Sequence, residues 1–189
     1  MTPVDPPDPR DELDRLCELA NVGAGHAAGA LAQLLGCPIR MSVPRVQRGE
    51  AGAVAASDAL RQGTSGIFFE VEGGIGGVFA VLFPPRERDA LLAELLGVAQ
   101  PESEQSESAL REVGNILASH ALSAVADLIG ARVLPSLPTL ALEAAGSVLA
   151  SFQARFDEPA IESQLVDPRG HLRGLLVWIP ASPATDRAV

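Results

Sequence analysis

The chain has 189 residues, 47% of them hydrophobic, and a formal net charge of −10 at pH 7. It is long enough to bury a sizeable core, and an acidic chain without clustered basic residues is unsuited to binding nucleic acid. No apolar run approaches the roughly 20 residues of a membrane span, so the sequence predicts a cytoplasmic protein that binds neither nucleic acid nor membrane.

The first half of the chain predicts one long helix followed by strands. Residues 1–10 are rich in proline and acidic residues and predict a disordered tail. Apolar residues at three- and four-residue steps predict a helix over 11–35 that ends at Gly36. The segments expected after it are a strand over 38–46, a hairpin of strands over 65–71 and 76–83, and a helix over 86–96.

The second half predicts the same order. We expect Ser103 or Ser106 to cap a helix that reaches about Ile129, and Gly130 to end it. The expected strands lie over 133–140, 147–156, 160–166 and 172–179. Residues 181–189 are small and polar and predict a loose tail.

Together these elements predict an α+β fold. It consists of two pseudo-symmetric repeats, each a long helix followed by strands, which share one mainly antiparallel sheet. We expect a single domain over 11–180, with repeats over 11–97 and 103–180.

A set of residues recurs at a constant spacing of 94 positions, which is typical of a duplicated structural unit. The two copies are Asp14, Glu18, Asn21 and Pro44, then Ser108, Glu112, Asn115 and Pro138. Steps of four and three residues put the first three members of each copy on one helix face. The apolar positions beside them are shared as well, so the polar residues are candidates for a function.

An acid and an amide without a nucleophile suit a narrow range of chemistry. A carboxamide can hold a water molecule by its oxygen while its NH2 group meets a second acceptor. It is too weak a base to take a proton at neutral pH, so it can only orient the water. Hydrolysis of an acyl phosphate needs mainly positioning and charge neutralisation, and the Glu can then pair with a cation on a partner protein.

The full pattern is Ser or Asp, three residues, Glu, two residues, Asn, twenty-two residues and Pro. It resembles the active-site signature of the CheC-type chemotaxis phosphatases, the CheC, CheX and FliY family. Two complete copies in one chain resemble the two-site CheC members. The resemblance implies hydrolysis of the aspartyl phosphate on the response regulator CheY.

The resemblance also implies roles for the motif residues. Asn21 and Asn115 would direct the attacking water, and Glu18 and Glu112 would pair with a Lys of the regulator. Asp14, Pro44, Ser108 and Pro138 would be supporting positions.

The implied partner is a phosphorylated CheY-like regulator, which would hold the required Mg2+ itself, so this chain needs no cofactor. We expect a monomer. The alternative is a non-catalytic binding module that acts mainly as a partner of the receptor deamidase CheD.

Two other sequence patterns could indicate a ligand site, and each has a structural interpretation as well. Gly23, Gly25 and Ala28 fit a loose dinucleotide fingerprint, but no buried strand precedes them, so close helix packing is the favoured interpretation. His26 and His120 also recur 94 positions apart, and each lacks a nearby second ligand, which favours a structural role over metal binding.

The two cysteines do not suggest a metal site. Cys17 and Cys37 lack Cys-x-x-Cys spacing, and both are expected to be reduced and partly buried.

Overall fold

The computed structural model describes residues 9–47, 63–156 and 158–181. The expected tails over 1–10 and 181–189 fall almost entirely outside these residues. In chain order the elements are α1 (Pro9–Leu35), β1 (Arg40–Met41), β2 (Arg45–Gln47), β3 (Gly63–Gly73), β4 (Gly77–Phe83), α2 (Pro85–Leu96), α3 (Ser103–Ile129), β5 (Val133–Pro135), β6 (Thr139–Glu143), α4 (Ala145–Phe156), β7 (Ala160–Val166) and β8 (Arg173–Pro180).

The strands form one sheet in which the two halves of the chain exchange short strands. The sheet order is β1-β7-β8-β4-β3-β5, with β2 also paired to β7 and β6 also paired to β3. Every pairing is antiparallel. The predicted α+β class with one shared antiparallel sheet is therefore confirmed.

The strand register repeats with the spacing found in the sequence. Met41 pairs with Leu165, and the positions 94 residues after Met41 and 94 before Leu165, Pro135 and Val71, also pair. In the same way the pair Val46 and Ile161 corresponds to the pair Leu140 and Ile67. The backbone pairing of β1, β2 and β7 is thus the pairing of β5, β6 and β3. The duplication seen in the side chains extends to the hydrogen-bonded frame.

Alternate residues of the central strands face opposite layers of helices, as the two-residue period of a strand requires. One face packs against α1, α2 and α3, and it includes Ile67, Phe69, Val71, Phe79, Val81 and Phe83. The other packs against α4, and it includes Phe68, Val78, Ala80, Leu82, Leu175 and Val177. The central strands are consequently buried on both faces.

The two long helices pack antiparallel. Leu19 shares a cluster with Val125 and Ile129, whereas a Cβ on Gly23 would lie 3.3 Å from Val125 Cγ2 and 3.6 Å from Ala121 Cβ. Residues nearer the C-terminus of α1 therefore contact residues nearer the N-terminus of α3. The contact at Gly23 confirms close helix packing there, and the N-terminal halves of the two helices lie at opposite ends of the pair.

The strand expected over Ser147–Phe156 is wrong, because this segment belongs to the helix α4. Ala145 and Leu149 are buried there, and Phe152 and Phe156 pack on the same cluster. These four residues recur at steps of four, three and four, which is a helical stripe. The short apolar run 147–152 fits either structure by itself, and the helical spacing was the signal that distinguished them.

Two longer strands of the prediction are each interrupted. The segment expected over 38–46 is β1 and β2 with residues 42–44 between them, and that over 133–140 is β5 and the start of β6 with 136–138 between them. Pro44 and Pro138 lie in these gaps. Proline has no N–H to donate to a strand ladder, so it interrupts the pairing.

The expected serine cap of α3 is also wrong. The N-cap residue is Glu102, and no side chain caps it. Ser106 Oγ instead donates to Glu102 O at 2.9 Å. The expected ends of the long helices are confirmed, since Gly36 and Gly130 both have positive φ, a conformation that favours glycine.

Gly114→Ala should lower the melting temperature. A Cβ at this position of α3 would lie 2.6 Å from Ile67 Cγ2, and such overpacking costs about 1–3 kcal/mol. Gly29→Ala is the matched control, because a Cβ there meets nothing within 4 Å and Ala favours a helix over Gly by about 0.8–1.0 kcal/mol. Thermal unfolding followed by circular dichroism should show opposite shifts, and equal shifts would contradict the close approach of α3 to the sheet.

Glu162 is a buried carboxyl group in β7, with 8% of its surface exposed. Its Oε2 accepts a hydrogen bond from Gln47 Nε2 at 3.3 Å, and its Oε1 has no partner among the described residues. Burial raises the pKa of this carboxyl, although the Gln47 hydrogen bond and the charge of Arg45 act in the opposite direction.

Glu162→Gln should raise the melting temperature at pH 7. Because folding raises the pKa of this carboxyl, its favourable contribution is present below the ordinary value of 4.5 and is lost as the pH rises through the raised pKa. A gain of about 1 kcal/mol shifts the melting temperature of a protein of this size by about 2–4 °C, and the difference should shrink near pH 4. Glu94→Gln, at an exposed position of α2, should have no such effect at either pH.

Candidate functional site

The first motif forms a row on α1. Asp14, Glu18 and Asn21 are all exposed, at steps of four and three residues along the helix. The next position of this row is Gly25, where a Cβ would lie 3.7 Å from Met41 Sδ. The row therefore runs beside the end of β1, from which the chain continues to the motif proline.

The second motif forms the equivalent row on α3. Ser108 and Glu112 are exposed and Asn115 is half-buried. Arg111 Nη1 donates to the backbone oxygen of Pro138 at 3.0 Å. This hydrogen bond holds the segment 136–138 next to the residue that precedes Glu112, so the downstream proline lies close to the helix row.

Two residues before each motif proline lies a serine that attaches the loop to the sheet. Ser42 N donates to Gln164 O at 2.9 Å, and Ser42 Oγ accepts from Gln164 N at 3.0 Å. Ser136 makes the same two bonds to Glu70, at 2.8 and 3.0 Å. The sequence prediction missed these serines, although their spacing of 94 positions was a visible signal.

The two sites differ at the position before the Glu. Where the second site has Arg111, the first has Cys17, a free and half-buried thiol. Burial raises the pKa of the Cys17 thiol, and the nearby Asp14 carboxylate raises it further. The thiol is therefore protonated at pH 7, and it supplies neither the positive charge nor the forked donor geometry of a guanidinium.

The described residues offer no evident metal centre. Within 9–47, 63–156 and 158–181, no three His, Cys, Asp or Glu side chains are grouped so that they could hold a metal ion. His26 and His120 are exposed on α1 and α3. In the same part of the chain, no helix is both long and apolar enough to cross a membrane.

The geometry suits recognition of a partner and orientation of a small molecule. In each row the carboxylate and the carboxamide are three residues apart on a helix that is packed against the sheet, so they face the same way. The carboxylate can pair with a cation of a partner. The carboxamide can accept a hydrogen bond from water and donate another.

Comparisons of sequence match this chain to one family and to a named relative. A model of the CheC-like family matches residues 12–48 and 106–141, which contain both helix rows and both prolines. The chain is 34% identical over 152 residues to the CheY-P phosphatase CheC of Bacillus subtilis (strain 168), a match that spans 74% of this chain and 70% of that protein.

Solved structures share the fold. Thermotoga maritima FliY matches with a TM-score of 0.69 at 20% identity, over 93% of this chain and 92% of that chain. A chain of the CheX–CheY–BeF3–Mg2+ complex from Borrelia burgdorferi matches with a TM-score of 0.63 at 14% identity, over 86% of this chain and 97% of that chain. At these identities the likeness concerns the fold.

Arg111→Met should loosen the loop of the second site. Met keeps an apolar stem but cannot donate to the Pro138 carbonyl. Since a hydrogen bond to a charged group is worth about 1.5–3 kcal/mol, amide hydrogens over 136–140 should exchange at least roughly tenfold faster. Hydrogen–deuterium exchange measured by mass spectrometry tests this. Residues 40–47 are the internal control, and an unchanged rate at 136–140 would mean that Arg111 does not hold the loop.

Proposed function

This chain belongs to the CheC-like family, and on that basis we propose that it hydrolyses the aspartyl phosphate of a CheY-type response regulator. The observation that carries the proposal is the Glu and Asn row, which is complete in both halves, with Glu18, Asn21 and Glu112 exposed and Asn115 half-buried. The name of the Bacillus subtilis relative, CheY-P phosphatase, supports the same enzyme class and substrate.

In the proposed step Asn21 or Asn115 orients the attacking water. Its Oδ1 accepts a hydrogen bond from the water, and its NH2 group donates to a phosphoryl oxygen. The water oxygen bonds to phosphorus as the bond between phosphorus and the aspartyl oxygen breaks. The Asp carboxylate leaves with the electron pair, and the hydrogens of the water go to the released phosphate or to solvent. Orientation is the main contribution of the amide, because it cannot take up the proton.

Glu18 and Glu112 are proposed to hold the regulator in the reactive orientation. A carboxylate on an exposed helix face can pair with a Lys beside the phosphorylated Asp, and such a charged hydrogen bond fixes register. Asp14 and Ser108 extend the rows, and the prolines complete the sites as supporting positions. We propose that the Mg2+ required by the reaction is held by the regulator, where it neutralises phosphoryl charge, and that this chain contributes no metal ligand.

The proposal extends to how the protein acts. One chain carries both complete motifs, so we propose that a monomer is sufficient. Its substrate, a phosphorylated CheY-like regulator, implies that it acts in the cytoplasm. A molar mass measured by light scattering tests the monomer.

Replacement of the amides should remove catalysis while the protein stays folded. With Bacillus subtilis CheY labelled at its aspartyl phosphate, Asn21→Ala and Asn115→Ala should each abolish turnover at one site. The double variant should lose roughly a hundredfold or more in kcat, because orientation contributes several kcal/mol. Glu18→Ala and Glu112→Ala together should mainly raise KM. Gln33→Ala, an exposed amide of α1 outside the row, is the matched control and should retain full activity.

Two outcomes would contradict the phosphatase proposal. One is that the wild-type protein does not speed the loss of label from the phosphorylated regulator, compared with the regulator alone. The other is an unchanged rate in the Asn21 and Asn115 double variant. The alternative, a binding module for CheD, would then be tested by a pull-down with CheD, with and without the phosphorylated regulator.

A further inference from the structure

Two large apolar side chains are far more exposed than the others. Val43 is 79% exposed and Leu137 is 89% exposed, whereas none of the other exposed large hydrophobic residues in the described segments exceeds 51%. Single exposed apolar residues are common and need no explanation. These two, however, lie 94 positions apart, and each comes directly before a motif proline.

The loops that carry them are held in place. Each begins with the serine that makes two hydrogen bonds to the backbone of a sheet residue, and each ends with a proline, whose ring fixes φ. In the second loop Ser136 Oγ also lies 3.0 Å from Leu137 O, to which it can donate, and Arg111 holds Pro138 O. A side chain on a fixed loop loses little entropy when a partner covers it, which favours binding.

Both loops lie beside the acid and amide rows. The Arg111 hydrogen bond places Leu137 next to the helix turn that carries Glu112. At the first site a Cβ built at the row position Gly25 would lie 3.7 Å from Met41 Sδ, so the end of the strand that leads into the Val43 loop runs beside the row on α1. Each site therefore combines a carboxylate, a carboxamide and one protruding apolar side chain on neighbouring surface.

We propose that Val43 and Leu137 are the apolar docking contacts for the receiver domain of the phosphorylated regulator, one contact at each site. This inference rests on the proposed function and names a further part of its binding surface. A regulator brought close enough for the amide to reach its phosphoryl group also covers the adjoining loop. A shared fold with a chain of the CheX–CheY–BeF3–Mg2+ complex supports a receiver domain as the occupant. Burial of an apolar group contributes affinity, and the charged pair contributes orientation.

A crossed set of variants tests the assignment. In an Asn21→Ala background only the second site turns over, and Leu137→Ser should raise KM for labelled CheY roughly tenfold with kcat unchanged. In an Asn115→Ala background only the first site turns over, and Val43→Ser should raise KM in the same way. Val98→Ser, at an exposed apolar position outside both motifs, is the matched control. Titration with CheY bound to BeF3 and Mg2+ should show the same loss in binding.

The outcomes separate the docking assignment from the proposed function. In the Asn21→Ala background, Leu137→Met should have the same KM as the Asn21→Ala protein, because it keeps an apolar side chain at this position. Unchanged melting temperatures should show that the serine variants are folded. If the wild-type protein is active but Leu137→Ser does not change the KM of the Asn21→Ala protein, the docking assignment is overturned and the proposed function stands. A dimer that becomes a monomer on substitution, with KM unchanged, overturns it in favour of self-association. Inactive wild-type protein overturns the proposed function and this inference with it.

Discussion

The two short strands of each half pair with a longer strand of the other half, and the candidate sites depend on this exchange. β1 and β2 pair with β7, while β5 and β6 pair with β3. The loop beside the first row is attached through Ser42 to Gln164 of β7, and the loop beside the second through Ser136 to Glu70 of β3. Each half contains every residue of its motif, but the backbone that fixes its loop comes from the opposite half.

Antiparallel packing of α1 against α3 separates the two rows, because each lies in the N-terminal half of its helix. The acid and the amide are the same in both copies, while the support around them has diverged. A guanidinium holds the loop of the second site, and a protonated thiol occupies the equivalent position of the first. The proposed reaction needs mainly orientation, and such a reaction is sensitive to these differences because loss of alignment alone costs rate.

The sequence predicted most elements and missed features that depend on neighbours. The long helices and the hairpin strands were correct, because each carries a periodic apolar pattern of sufficient length. The helix α4 was mistaken for a strand because its apolar run is short. At that length the apolar patterns of a helix and of a strand overlap. The sequence also located both rows, but it missed Ser42, Ser136 and Arg111, whose roles are hydrogen bonds to backbone groups distant in the chain.

The sequence by itself determined the duplication, the helix faces and the pairing of an acid with an amide, because local periodicity and a constant spacing are properties of the chain alone. The tertiary structure decided which strands pair across the halves, which side chains hold the proline loops, and that Val43 and Leu137 protrude beside the rows. Those features depend on contacts between residues as many as 122 positions apart, and a local pattern has no means of specifying which distant backbone group a serine or an arginine will meet.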